Sequence, residues 1–180
     1  KMYTKGVSSV LDYSVEGKET EEQFDHALQM TLKTIDFAKE RQAIPFAVFK
    51  PTGIARFALL EKVSRLLSGA KTQLNKEEEN EYKKVVERID KICAAAYYAN
   101  MRVMIDAEES WIQDAIDSAV EDMMKKYNRE KAVVLNTIQL YRHDRLEYLK
   151  TTVDKALKEN WFAGFKLVRG AYMEKERERA

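Results

Sequence analysis

The sequence predicts an α/β protein built on a parallel sheet, and three observations carry that expectation. Short runs rich in Val, Ile and Phe alternate with longer stretches of helical periodicity. The short runs lack a clean alternation of apolar and polar residues, which suits strands covered on both faces. Their ends recur at intervals of roughly 33 residues, with one longer interval, which fits a βαβ unit of ~30 or more residues.

Taken in order, the first strand runs from Val7 to Leu11 and ends at Asp12. In the helical stretch after it, Phe24, Leu28, Leu32, Ile35 and Phe37 lie near one stripe, and Thr20 with Gln23 resembles a capping box. The second strand, Ile44 to Lys50, stops at Pro51. Two helical stretches follow. "IARFALLEKVSRLLSG" is closed by Gly69, and the other is opened by Asn75 as N-cap with Glu residues in its first turn. The glutamate run there reads as a solvated face. The third strand, Arg102 to Ala107, the fourth, Ala132 to Tyr141, and the fifth, "FKLVRGAY", each lead into a further helical stretch.

No glycine-rich turn of the dinucleotide-binding type follows the first strand, so the pattern favours a (βα) barrel over a doubly wound sheet. A full (βα)₈ barrel takes about 250 residues, and the 180 residues here supply about five βα units. Five strands leave open edges. The expectation is therefore a TIM-like barrel present in part, with residues 1–180 as its N-terminal portion and a variable helical segment at about 70–100. The rest of the barrel would come from the same chain or a second one.

Composition narrows the function. The formal net charge is +1, which gives no electrostatic case for nucleic acid. No apolar run approaches a membrane span, and Lys1 to Gly6 lacks the apolar core of a secretory signal, so secretion is not expected. Cys93 is the single cysteine, so there is no disulfide framework and a reducing compartment is the simple reading. His26 and His143 match no metal-ligand spacing, and no metal is expected.

In parallel βα folds the polar residues at the carboxyl ends of strands face the active site. The five ends supply Asp12 with Glu16; Lys50; Asp106 with Glu108 and Glu109; Gln139 with Tyr141; and Lys166, Arg169 and Tyr172. Charges commonly flank strands for structural reasons, so any one of these is ambiguous. Five strands delivering such a group at the same end is a stronger signal. On the fifth strand, alternation places Lys166, Val168, Gly170 and Tyr172 on one face and Leu167, Arg169 and Ala171 on the other. A buried cation there requires an anionic or hydrogen-bonding partner. Asp12 and Asp106 are candidate partners for Lys50, and Gly170 would let a flat ligand or another backbone approach.

The segments "VLDYSVEG", "FAVFKPTG", "RVMIDAEES", "NTIQLYRHDRLEYL" and "GFKLVRGAYMEKER" resemble successive strand motifs of the proline dehydrogenase family, closer to its eukaryotic-type members. The resemblance runs from about Gly6 to the C-terminus in order and spacing, and is weakest over residues 53 to 100. It implies a distorted (βα)₈ barrel with FAD at the carboxyl ends of the strands. It also implies oxidation of L-proline to Δ1-pyrroline-5-carboxylate, with electrons passed to a quinone, the first step of proline catabolism. Carried over by motif, Asp12, Lys50 and Asp106 would form the polar network of the proline pocket, with Lys50 near the substrate carboxylate. Leu167 and Tyr172 would pack around the proline ring. Gln139 would hydrogen-bond the flavin, and Lys166 would approach flavin N5, with Arg169 as the competing candidate.

One departure stands out. The family's Tyr-x-x-Arg-Arg helix, which grips the proline carboxylate, has no counterpart here, so the isolated 180-residue segment is expected to be inactive. A quinone acceptor makes peripheral membrane contact plausible. The location implied is cytoplasmic or peripheral to the inner membrane in a bacterium, and mitochondrial in a eukaryote. The rival readings are a hydroxyproline dehydrogenase, a Schiff-base barrel lyase using Lys50 or Lys166, and a degenerate barrel kept for association. The intact polar set counts against the last of these.

Overall fold

The computed structural model describes residues 2–13 and 15–180. After a short 3₁₀ turn at Tyr3–Lys5 come β1 (Val10–Asp12), α1 (Glu21–Ala38) and β2 (Phe46–Phe49). A second 3₁₀ turn, Pro51–Gly53, precedes α2 (Phe57–Leu67) and α3 (Lys76–Tyr98). The remainder is β3 (Arg102–Ile105), α4 (Ser110–Tyr127), β4 (Val134–Gln139), α5 (Arg145–Glu159), β5 (Phe165–Val168) and α6 (Met173–Arg179). No helix among the described residues is long and apolar enough to cross a membrane.

The strands form one parallel sheet in the order β1-β2-β3-β4-β5. Right-handed crossovers that always step in the same direction leave every helix on the same side of the sheet. That is the winding of a (βα) barrel, and it lacks the reversal of strand order that defines a doubly wound sheet. The structure thus contains five successive barrel units.

Alternation along each strand sorts the residues. Ala47, Phe49, Val103, Ile105 and Val134 enter the core between sheet and helices, against Leu28, Ile35, Ile89, Ile112, Ile116 and Met124. The residues between them face the inner side of the sheet. Lys50 and Asp106 continue that inner face at the strand ends.

Local chemistry explains the helix boundaries. Thr20 and Gln23 form the expected capping box at α1, and Asn75 and Glu78 form another at α3. Gly69 takes the left-handed conformation just after α2 (φ +83°). The strands are shorter than their apolar runs, because pairing stops where the neighbouring strand ends. Phe37, placed by periodicity near the buried stripe of α1, is instead 51% exposed. It lies under the Arg41 guanidinium, 3.7 Å from the ring centroid. A spacing of two from Ile35 turns it about 200° around the helix.

The helix over 76–98 is part of the core: Val85, Ile89, Ile92, Cys93 and Ala96 are buried. It packs against α1 and α4. The Cys93 thiol is fully buried, which raises its pKa and keeps it protonated.

Buried polar groups then fix the sheet against the helices. Asn128, just past α4, accepts from the amides of Val133 and Val134 and donates to the carbonyls of Val134 and Phe162. Asp117 of α4 accepts from Gln113, from Asn136 of β4 and from Arg145 of α5. Each of these groups is paired, as burial demands.

The turn after β2 is packed tightly against the loop after β1. A Cβ on Gly53 would lie 2.7 Å from the Val15 carbonyl oxygen. Gly53→Ala is expected to destabilise the intact protein by about 1–3 kcal/mol through forced backbone displacement. Asn75→Ala should cost about 1 kcal/mol through loss of the cap. Urea unfolding midpoints check both, and an unchanged midpoint for Gly53→Ala would contradict the close approach.

Candidate active site

The inner face ends in a polar cluster at the carboxyl ends of the strands. The β2–β3 ladder extends one residue past β3, where the Asp106 amide donates to the Phe49 carbonyl at 3.1 Å. That pairing holds Asp106 beside Lys50. One carboxylate oxygen of Asp106 accepts from Lys50 Nζ at 3.2 Å, and the other pairs with Lys166 Nζ of β5. Lys166 stands in register with Thr137, whose hydroxyl donates to the Ile105 carbonyl across the same face. One carboxylate therefore bridges two ammonium groups, from strands on either side of it in the sheet.

The centre of the cluster is largely shielded from water, and its edge at Lys166 and Glu16 is partly solvated. The Lys50 side chain is 17% exposed and that of Asp106 13%. Burial disfavours the Lys50 charge, but Asp106, followed by Glu108 and Glu16, outweighs it and holds the ammonium pKa above its ordinary value. Glu16, in the loop after β1, comes within 3.7 Å of Lys50 Nζ. It also accepts from the Tyr172 hydroxyl at 3.0 Å. The Tyr172 ring lies 5.9 Å from Lys50 Nζ. Burial, with the charges of Glu108 and Glu16, raises the Tyr172 phenol pKa and keeps it a hydrogen-bond donor.

Tyr172 reaches this place through a left-handed backbone conformation (φ +59°) immediately before α6. α6 in turn is tied back to the start of α4: Glu176 accepts from the amide and hydroxyl of Ser110, and Lys175 pairs with Glu109.

The structure thus brings Lys50, Asp106, Lys166 and Tyr172 together. Asp12 ends β1 in register with Val48 on the same face and is exposed. Gln139 is fully buried, and its amide is engaged within the chain: it donates to the Glu108 carbonyl at 2.5 Å and to the Tyr141 hydroxyl at 2.7 Å, and accepts from Arg142 at 3.2 Å. Leu167 and Arg169 are not part of the cluster. Both are exposed, and Arg169 forms no ion pair among the described residues. At Gly170 an added Cβ would meet only the Met173 side chain, at an ordinary 3.7 Å. No protein atom therefore demands glycine there.

The sequence reading assigned no role to Glu16, Glu108 or Thr52. The first two were visible only as acids near strand ends. Thr52 carried no signal, because its role rests on a contact with a residue 56 positions away.

A parallel barrel segment whose polar groups converge at the carboxyl ends of its strands is the arrangement of a barrel enzyme. The sequence profile described as proline dehydrogenase matches residues 1–180, and the chain belongs to the proline dehydrogenase family. It is 36% identical over 172 residues to the carbapenem antibiotics biosynthesis protein CarD of Pectobacterium carotovorum subsp. carotovorum, covering 96% of this chain and 44% of that protein. It is 39% identical over 119 residues to the mitochondrial proline dehydrogenase 1 of Drosophila melanogaster, covering 66% of this chain and 17% of that one. The crystal structure of proline utilization A (PutA) from Bdellovibrio bacteriovorus, inactivated by N-propargylglycine, superposes with a TM-score of 0.78 at 14% identity, over 99% of this chain and 19% of that chain. The fold is therefore that of the corresponding TIM-type barrel portion. The chain spans less than half the length of these curated relatives.

The Asp106 bridge has a measurable signature. Because the Lys50 pKa is raised in the folded state, its contribution is fully present below the ordinary value of 10.5 and is lost as pH rises through the folded pKa. Stability of the intact protein relative to Asp106→Asn should be constant from neutral pH to about 10 and shrink above 10.5. Asp106→Ala should cost about 2 kcal/mol at neutral pH, less than a fully buried pair because the site is partly solvated. Denaturant titrations across that range provide the check; a wild-type advantage that grows with alkaline pH would refute the pairing.

Proposed function

We propose that these five units belong to a flavin-dependent proline dehydrogenase that oxidises L-proline to Δ1-pyrroline-5-carboxylate and passes the electrons to a quinone. The observation that carries this reading is the pair of ammonium groups sharing one carboxylate on the inner face. Lys50 and Lys166 share Asp106, and Glu16, 45% exposed and 3.7 Å from Lys50, balances the second ammonium group. An anionic group arriving from outside the chain would take the place of that exposed carboxylate beside Lys50.

The same residues fit FAD and proline together. FAD, when bound, accepts the hydride lost from proline C5. Lys166 is the residue this reading places beside the flavin, where a cation favours added negative charge; its position on the inner face supports it over Arg169. Lys50 holds the proline carboxylate, and Asp106 keeps the Lys50 ammonium charged and directed. Asp12 borders this network from β1. Tyr172 supplies a ring wall above Lys50 and a hydroxyl at the mouth, and Leu167 would join it only if the end of β5 rearranges around ligand. Gln139, held by Glu108, Tyr141 and Arg142, would reach the flavin by exchanging one of these partners. The domain is read as the N-terminal portion of the barrel. The eukaryotic proline dehydrogenases it resembles are mitochondrial, which supports that location for a eukaryotic source.

CarD favours a second setting for the same chemistry. Its similarity covers 96% of the chain, and its name places it in antibiotic biosynthesis, so a biosynthetic oxidation of a proline-class amine is the alternative.

The intact protein should carry a flavin absorbance spectrum that bleaches on anaerobic addition of L-proline. Lys50→Met should lower kcat/KM by ~100-fold or more, chiefly through KM, since it removes substrate positioning. Lys166→Met should lower kcat and the flavin reduction potential, whereas Arg169→Met should leave the potential near wild type. A colourless intact protein, or bleaching by 4-hydroxyproline in preference to proline, would reject the reading.

A further inference from the structure

Glu108 is 1% exposed and lies two residues past Asp106. Its carboxyl group accepts from the Thr52 amide at 2.9 Å and bonds the Thr52 hydroxyl at 2.5 Å. Thr52 in turn lies two residues past Lys50. The Glu108–Thr52 contact thus runs parallel to the Lys50–Asp106 pair, one step further along the same two strand ends. The Glu108 carbonyl accepts from Gln139 at the end of β4, and its amide donates to Gln113 of α4, which passes the chain on to buried Asp117. One residue therefore touches the ends of β2 and β4 and the helix layer behind them. A glutamine here would accept from the Thr52 amide and donate to the Thr52 hydroxyl, so these two contacts do not by themselves demand a charge.

We infer that Glu108 is a positioning residue for the site, clamping the loop after β2 so that Lys50 is held at Asp106 and setting, through its carbonyl, the orientation of Gln139. The inference rests on the proline-oxidising reading for its kinetic consequences but on geometry alone for the clamp. Burial pushes the Glu108 pKa up to about 7, against the hydrogen bonds from Thr52 and the charge of Lys50, with Glu109 adding to the rise. Tyr172 and Lys175 also feel its charge. Its folded pKa exceeds the ordinary 4.5, so the proton is held more tightly in the folded chain, and stability falls as pH rises from 4.5 to about 7.

The test compares wild type, Glu108→Ala, Glu108→Gln and Thr52→Val in the intact protein. Its first readout, acylation of Lys50 followed by mass spectrometry at pH 8, needs no turnover. Glu108→Ala removes both the clamp and a charge that holds Lys50 protonated, so Lys50 should react at least threefold faster. In kinetics, Glu108→Ala should lower kcat/KM for proline at least tenfold at pH 6.5, and Glu108→Gln should recover most of that loss. Between pH 6 and 8 the ratio of wild type to Glu108→Gln should change, whereas a merely structural role leaves it constant. Thr52→Val removes only the hydroxyl half of the clamp and keeps the Glu108 charge, so it isolates the clamp: a smaller rise in Lys50 reactivity in the same direction is expected, and it stands in if Glu108→Ala does not fold. A wild-type protein that does not oxidise proline defeats the proposed function, and the Lys50 arm then decides the clamp by itself. Unchanged Lys50 reactivity in the folded variants, or kcat/KM within twofold with parallel pH profiles, overturns the inference.

Discussion

Two ammonium groups share one carboxylate where three parallel strands end, and the arrangement of the inner face depends on that bridge. Lys50 and Lys166 would repel each other across a face of low exposure, and each would lose hydration there. Asp106, presented by the strand that lies between β2 and β4, neutralises one of them and holds both within reach. The price of gathering like charges is met by backbone order: the Asp106 amide is already tied to the Phe49 carbonyl, so the carboxylate is aimed before any side chain pairs. Glu16, 3.7 Å from Lys50 at the more exposed mouth of the cluster, balances the remaining ammonium charge.

Behind this bridge runs a second polar layer. Glu108 links Thr52 and Gln139, Gln113 links Glu108 to Asp117, and Asp117 links α4 to Asn136 and Arg145. In a medium that screens charge poorly, such a chain is stable only when its members are paired. The carboxyl ends of β2, β3 and β4 are thereby coupled to the helix layer, so the cluster is carried by rigid elements and not by free loops. The loop after β1 and the turn before α6 are joined to it more lightly, through Glu16 and Tyr172 at the mouth.

Much of this was legible in the sequence. Short Val- and Ile-rich runs separated by amphipathic stretches located all five strands, and Thr20, Asn75 and Gly69 marked helix boundaries that the structure reproduces. Each depends on neighbours within a few residues, so local reading suffices. Phe37 was misplaced because a tolerant hydrophobic stripe admitted a residue turned away from the core. Leu167 and Arg169 fell on the opposite face of β5 from Lys166, as alternation requires, yet family motifs alone kept them among the site residues. The full engagement of Gln139 could not be read, because its partners belong to three different segments.

By itself the sequence determined which chemical groups stand at the strand ends, since strand periodicity and turn residues are local properties. It determined the winding as well, because helices between all successive strands, without a phosphate-binding turn, leave the singly wound sheet as the economical solution. Only the tertiary structure decided who meets whom. Lys50 and Asp106 are 56 positions apart and Lys166 and Asp106 are 60 apart. Their meeting follows from strand order and register, which are set by packing of the whole sheet against its helices. The same packing made Glu108 a buried clamp and left its neighbour Glu109 paired with Lys175. Two adjacent glutamates look alike in a sequence, and only burial and partner separate them.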